Sequence, residues 1–353
     1  MRIFKAVQKI PGGLMIVPLL LGVLTNTFFP EILMVGGFAQ ALFKEGAMAL
    51  IGAFLLCMGA QLPVRAAGAV ATKGFAILIG KLLAAITVGL IAGMLMPSGT
   101  IMGLTPLAIV AAMSNSNTGL YAALTQEFGN VTDRGAAAVI TINDGPFLTL
   151  VVLGAAGMAS FPLVSFLAVL APVLIGFILG NLDHELRDFL RGGERVLIPF
   201  FAFPLGAGIN LGNIVESGLS GILLGFFTLF LSGGCAVGLL WIFQVLSKRP
   251  KHQRNLISAV AESSTAGAAV ATPAVAAAAD PALAPIVDAA TVQVAGSVIV
   301  TALLTPVVTA LWYKWQMKRG VDPMHEYDDP ALNGSPEELA EHAEKMKALK
   351  SNH

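Results

Sequence analysis

The sequence predicts an all-α polytopic membrane protein: ten transmembrane helices in two inverted five-helix repeats, with helices four and nine broken and crossing at the bilayer midplane. Three observations carry that prediction. Of 353 residues, 56% are hydrophobic and 12% charged, where an ordinary soluble domain has about a quarter charged. Lys and Arg gather on one side of the apolar runs. The chain also repeats itself at a nearly constant offset.

Apolar runs of about 20 residues cross a hydrocarbon core of about 30 Å. Ten are legible: 11–29, 46–64, 74–96, 104–126, 135–157, 161–181, 196–213, 217–247, 255–279 and 282–313. The eighth and tenth are longer than a crossing needs, and tilt or run past the membrane. The first has full span length and no A-x-A-like site close behind it, so it reads as a span and not as a cleaved signal. With the N-terminus inside, one side collects Arg2, Lys5, Lys9, Arg65, Lys73, Arg134, Arg187, Arg191, Arg195 and the basic groups at 248–254 and 314–319. The other side has Lys44 alone. Both termini are therefore expected in the cytoplasm, with the lipid bilayer as the chain's partner.

The net charge of zero hides that sorting and offers nothing to nucleic acid. Cys57 and Cys235 fall within spans and read as small buried hydrophobes, not a disulfide. All five histidines lie outside the spans, so no intramembrane metal site is expected, and no cofactor motif is present.

Four matches in order define the repeats. "VPLLLGVLTN" (17–26) faces "APVLIGFILG" (171–180), pairing Pro18 with Pro172 and Gly22 with Gly176. "MGAQL" (58–62) faces "AGINL" (207–211), pairing Gln61 with Asn210. "IVAAMSNSNTGLYAA" (109–123) faces "ISAVAESSTAGAAVA" (257–271), and "VITIND" (139–144) faces "AATVQV" (289–294). Each repeat holds five spans. Five is odd, so the second enters from the opposite side, as in many secondary transporters. The expected units are 1–158, 159–319 and a short cytoplasmic tail, 320–353. In the tail, Ser335 is a helix N-cap followed by Pro336, Glu337 and Glu338, and the helix reads as a solvated one.

Spans four and nine each carry a polar, Gly-closed stretch near mid-depth. Asn115 lies about 11 residues, roughly 16 Å, into span four. Ser114, Asn115, Ser116, Asn117, Thr118 and Gly119 form one stretch; Glu262, Ser263, Ser264, Thr265 and Gly267 form the other. Small polar side chains compete for backbone hydrogen bonds and Gly leaves helical φ/ψ freely, so each stretch is expected to break its helix. Irregular backbone at that depth must line a cavity or be buried in protein. Broken ends offer N–H groups to an anion, which makes a carboxylate-binding site.

Ionisable residues inside a membrane mark function by default. Asp144, beside Asn143 and before Gly145-Pro146, and Glu262, on the span-nine break, are the proton-coupling candidates, because burial favours the neutral carboxyl. Asp288 lies shallower. Lys81 sits about two turns into span three and reads as snorkelling to the cytoplasmic face. Gln61, Asn210 and Gln293 are further cavity candidates. No catalytic constellation is present: there is no G-x-S-x-G, H-E-x-x-H or phosphate-cradling loop. The chain is not expected to be an enzyme, and transport must draw on an ion gradient.

"MRIFKAVQKIPGGLMIVPLLLGVLTNTFFP", "GAMALIGAFLLCMGAQL", "AAMSNSNTGLYAAL", "TINDGPFLTL" and "NLISAVAESSTAGAAVATPAVAAAADP" resemble the bacterial 2-keto-3-deoxygluconate permease family, from Met1 to about Arg319. The resemblance implies an inner-membrane symporter that imports this sugar acid, a pectin and alginate breakdown product, with protons. More distantly, the pattern is similar to bile-acid sodium symporters and sodium/proton antiporters. By the first likeness, Ser114, Asn115 and Glu262 would hold sodium; by the second, Asn143 and Asp144 would carry the ion. The Lys that many antiporters have on span ten is absent from "TVQVAGS", which has Gln293 instead, and this argues against antiport. The fold so implied sets a core of spans three to five and eight to ten against a panel of the other four.

Overall fold

A computed structural model of the chain describes residues 4, 7, 13–62, 64–95, 102–143, 148–149, 163–208, 211–279 and 281–351, and every regular element among them is helical. The first is α1 (Gly13–Phe28). α2 (Gly37–Phe43) and α3 (Ala47–Gln61) meet at a bend of 62°. α4 (Ala67–Leu95) is followed by α5 (Pro106–Ser114) and α6 (Thr118–Phe128). Two short helices come next, α7 (Val131–Gly135) and α8 (Ala137–Ile140). α9 (Leu163–Leu182) and α10 (His184–Ala207) begin the second half. α11 (Gly212–Phe226) passes through a π-helical turn, Phe227–Ser232, into α12 (Gly233–Leu246). α13 (Ile257–Ala261), α14 (Thr272–Ala279), α15 (Val287–Lys318) and α16 (Pro336–Ser351) complete the chain.

Among the described residues, three stretches are long and apolar enough to cross a membrane: Ala67–Gly89, Gly218–Leu246 and Leu283–Lys318. The bent pair α2–α3 makes a fourth. The chain is an integral membrane protein.

Two groups of helices emerge from the packing. α1 lies on α10, α9 on α3, and α3 on α10. Separately, α4 packs on α12 and α5, and α15 packs on α11, α5 and α13. Lipid tails are as apolar as Leu, so helices associate in a membrane by close packing, and small residues permit it. A Cβ on Gly206 of α10 would overlap the Leu19 carbonyl, and one on Gly22 would overlap the Phe203 carbonyl. The α9–α3 contact is built alike: Gly176 meets Leu56 and Gly180 meets Ala60, again at backbone oxygen. Cys57 is buried as expected, but Cys235 is exposed on α12.

The tail differs from its expected solvated form. Ser335 does cap α16: its Oγ accepts from the Glu338 N–H at 3.2 Å, and Glu338 reaches back to the Ser335 N–H at 2.8 Å. However, the segment before it is docked. Glu326 is 1% exposed, with one oxygen 2.7 Å from Lys73 Nζ and the other 2.7 Å from Arg249 Nη1. Asn130 and Asn255 donate to the same carboxylate at 2.8 and 2.9 Å. The acid of a polar tail meets cations stranded at the ends of apolar helices, and a buried charge must be paired.

Candidate functional site

Both predicted breaks form, and they form where the polar stretches lie. α5 ends at Ser114, Asn115 is extended, and α6 restarts after Asn117, whose side chain accepts the Leu120 N–H at 3.0 Å as an N-cap. Residues 263–266 are likewise non-helical between α13 and the 3-10 turn Gly267–Ala271. The two breaks touch: Thr265 Oγ1 donates to the Ala112 carbonyl at 3.1 Å. Gly233 lets α12 come down on the second break, since a Cβ there would overlap Ser263.

Around the first break, Asn143 donates to the Ser114 carbonyl and, at 3.0 Å, to Ser116 Oγ. The Ser116 N–H donates to the Asn143 carbonyl at 2.9 Å. Ser114 Oγ pairs with Thr149 Oγ1 at 2.6 Å, and Asn115 Nδ2 reaches the Ala111 carbonyl at 2.7 Å. Around the second, Thr265 meets Ser297 at 2.8 Å and Thr301 at 3.0 Å, while Thr305 donates to the Ser263 carbonyl at 2.9 Å. Freed backbone groups are thus satisfied by hydroxyls of α15, which is how non-helical chain survives at such depth.

Lys81 joins these breaks and corrects its expected position. It is fully buried. Its Nζ lies 2.9 Å from Glu262 Oε1, 3.0 Å from the Glu262 carbonyl and 2.6 Å from the Ser264 carbonyl. Snorkelling fails because α4 carries the side chain inward onto α13, and the C-terminal carbonyls of a helix attract a cation. The sequence reading therefore lacked this cation of the site. An available signal was that a lone ammonium in an apolar run needs an acid, and Glu262 is the acid on span nine.

Asn115 Oδ1, Asn143 Oδ1 and Ser264 Oγ are buried without a hydrogen-bond partner among the described residues. Buried polar atoms are ordinarily satisfied, which makes these three the candidate ligand-contacting atoms among the described residues. Thr118 and Gly119 are buried at the start of α6, whereas Gly267 is exposed.

Other candidates lie elsewhere. Gln293 binds Gly103 and Thr105 at the start of α5. Gln61 donates to the Arg187 carbonyl at 2.8 Å, away from both breaks. Asp288 is exposed in the first turn of α15. Asp144 and Asn210 lie outside the described residues.

The chain matches the family model described as 2-keto-3-deoxygluconate permease over residues 4–318. It is 52% identical to 2-keto-3-deoxygluconate permease 1 of Salmonella typhimurium over 77% of this chain and 83% of that protein. It is 42% identical to the 2-keto-3-deoxygluconate permease of Bacillus subtilis over 77% of this chain and 82% of that one. Among solved structures, a sodium proton antiporter from Methanocaldococcus jannaschii superposes with a TM-score of 0.55 at 14% identity, covering 91% of this chain and 95% of that one.

Proposed function

The chain belongs to the 2-keto-3-deoxygluconate permease family, and from that premise we propose that it imports 2-keto-3-deoxygluconate together with protons. It does so across a bacterial inner membrane with both termini in the cytoplasm, as the Lys and Arg distribution supports. Its relatives are permeases, not enzymes.

The observation that carries the coupling is the buried Lys81–Glu262 pair at the meeting of the two breaks. In the empty site the two charges cancel. A proton on Glu262 removes the negative charge and leaves the ammonium in need of an anion, which the sugar-acid carboxylate supplies. A site holding both proton and substrate is again balanced. A site holding one alone keeps an uncompensated buried charge, at a cost of about 3–5 kcal/mol. At about 1.4 kcal/mol per tenfold, half-loaded states are rarer by about two to three and a half orders of magnitude, which is tight symport. Asn115, Asn143 and Ser264 would take the substrate hydroxyls, with Ser116, Asn117, Thr118 and Gly119 at the α6 end and Ser263, Thr265 and Gly267 shaping the other.

Glu262→Gln tests this directly in proteoliposomes. The amide imitates the protonated acid, so exchange of labelled for unlabelled substrate should persist while accumulation driven by a pH gradient is lost. Full accumulation by the variant would sink the assignment. Asp144→Asn gets the same test and ranks the two carboxyls. A sodium-coupled reading draws on Ser114, Asn115 and Glu262, but an ammonium already sits where sodium would meet the carboxylate.

The ten-span inverted arrangement belongs to the same proposal. Gly22 and Gly176, paired by the repeat, both serve a close crossing with a helix of the other repeat, which favours it.

A further inference from the structure

We infer that Asp322, His325 and His342 form a binding site for a divalent transition metal of the zinc class, one that staples the docked tail. His325 Nδ1 lies 3.0 Å and His342 Nε2 2.8 Å from the same oxygen, Asp322 Oδ2. The three donor atoms lie within 4.8 Å of one another, and no other trio of His, Cys, Asp or Glu donors converges this way among the described residues.

Ligands about 2.0–2.2 Å from a tetrahedral zinc stand about 3.3–3.6 Å apart, so ring shifts of under about 1 Å bring all three onto one ion. Two imidazoles and a carboxylate suit zinc, nickel, cobalt or copper, while calcium and magnesium ask for oxygen throughout. His342 and Asp322 are mostly buried, at 13% and 20% exposure. His325 is 71% exposed, which gives the ion a way in and leaves a coordination position to water. On binding, the inner ring nitrogens turn lone pairs to the metal and carry their protons on the outer nitrogens instead.

The position gives the site its consequence. His325 closes the 3-10 turn Pro323–His325, and the next residue, Glu326, is the acid buried under Lys73 and Arg249. His342 belongs to α16, whose Glu338 grips Arg134 through two oxygens at 3.0 and 3.1 Å. One ion would tie both anchors of the tail together. The site lies beyond residue 318, where the family match ends, and it does not depend on the transported substrate.

Zinc chloride titrated calorimetrically into the full chain, in metal-free lipid nanodiscs, tests it. The expected result is one tight site per chain, weakened at least tenfold by His325→Ala and by His342→Ala. Hydrogen exchange in α16 should slow with zinc in the unsubstituted chain alone. His325 is largely exposed, so its removal leaves the tail folded, and zinc-free exchange of that variant should match the unsubstituted chain. Absence of a tight site, or zinc binding to both variants as tightly as to the unsubstituted chain, would overturn the proposal.

Discussion

Lys81 and Glu262 hold opposite charges 2.9 Å apart with almost no exposure on either side. Removing one partner of such a pair costs about 3–5 kcal/mol, while replacing both by apolar or neutral groups is often neutral. Lys81→Met should therefore lower the thermal midpoint markedly and abolish uptake. Adding Glu262→Gln should restore the midpoint without restoring uptake, and a single variant as stable as the double one would show that the pair carries no such energy. Glu262 was legible from sequence because its polar, Gly-closed stretch mirrors Ser114–Gly119. Lys81 was not, because its partner lies 181 positions away and nothing local distinguishes a snorkelling lysine from an inward one.

At the level of elements, the breaks were legible as whole polar stretches, and Ser335 was legible as the cap of α16, while the structure adds that Asn117 is the residue that caps α6. Capping is local chemistry, written within four residues. Helix crossings are not local, and which glycines serve them emerges only from packing. Gly206→Ala should cost about 1–3 kcal/mol, read as a lower unfolding midpoint in detergent, since the Leu19 carbonyl it meets is backbone and cannot step aside. An unchanged midpoint would mean α1 and α10 are less tightly held than they stand. The docked tail escaped the sequence for the same reason as Lys81, since Glu326 meets Lys73 across 253 positions. Burial alone would raise the Glu338 carboxyl, but the Arg134 guanidinium and the Ser335 N–H outweigh it and hold the group below the usual range. A lowered folded value stabilises docking above the unfolded value of about 4.3 and loses that stabilisation as pH falls through the lowered one. Protection of the α16 amides, taken relative to the intrinsic exchange rate at each pH, should be high at neutral pH and fall in acid, and Arg134→Gln should bring low protection to neutral pH.

For the whole molecule, the paired breaks lie inside the helix group built on α4, α5, α12 and α15. Only charges that cancel can travel cheaply through a membrane, so the empty pair and the doubly loaded site are the two forms fit to cross. In the proposed symport, proton coupling is a property of the entire cycle. The measurement that tests it most directly is uptake of labelled 2-keto-3-deoxygluconate into proteoliposomes under an imposed pH gradient in sodium-free buffer, and separately under a sodium gradient without a pH gradient. Accumulation with the pH gradient alone is the predicted result; accumulation that requires sodium, or none under either gradient, would contradict it.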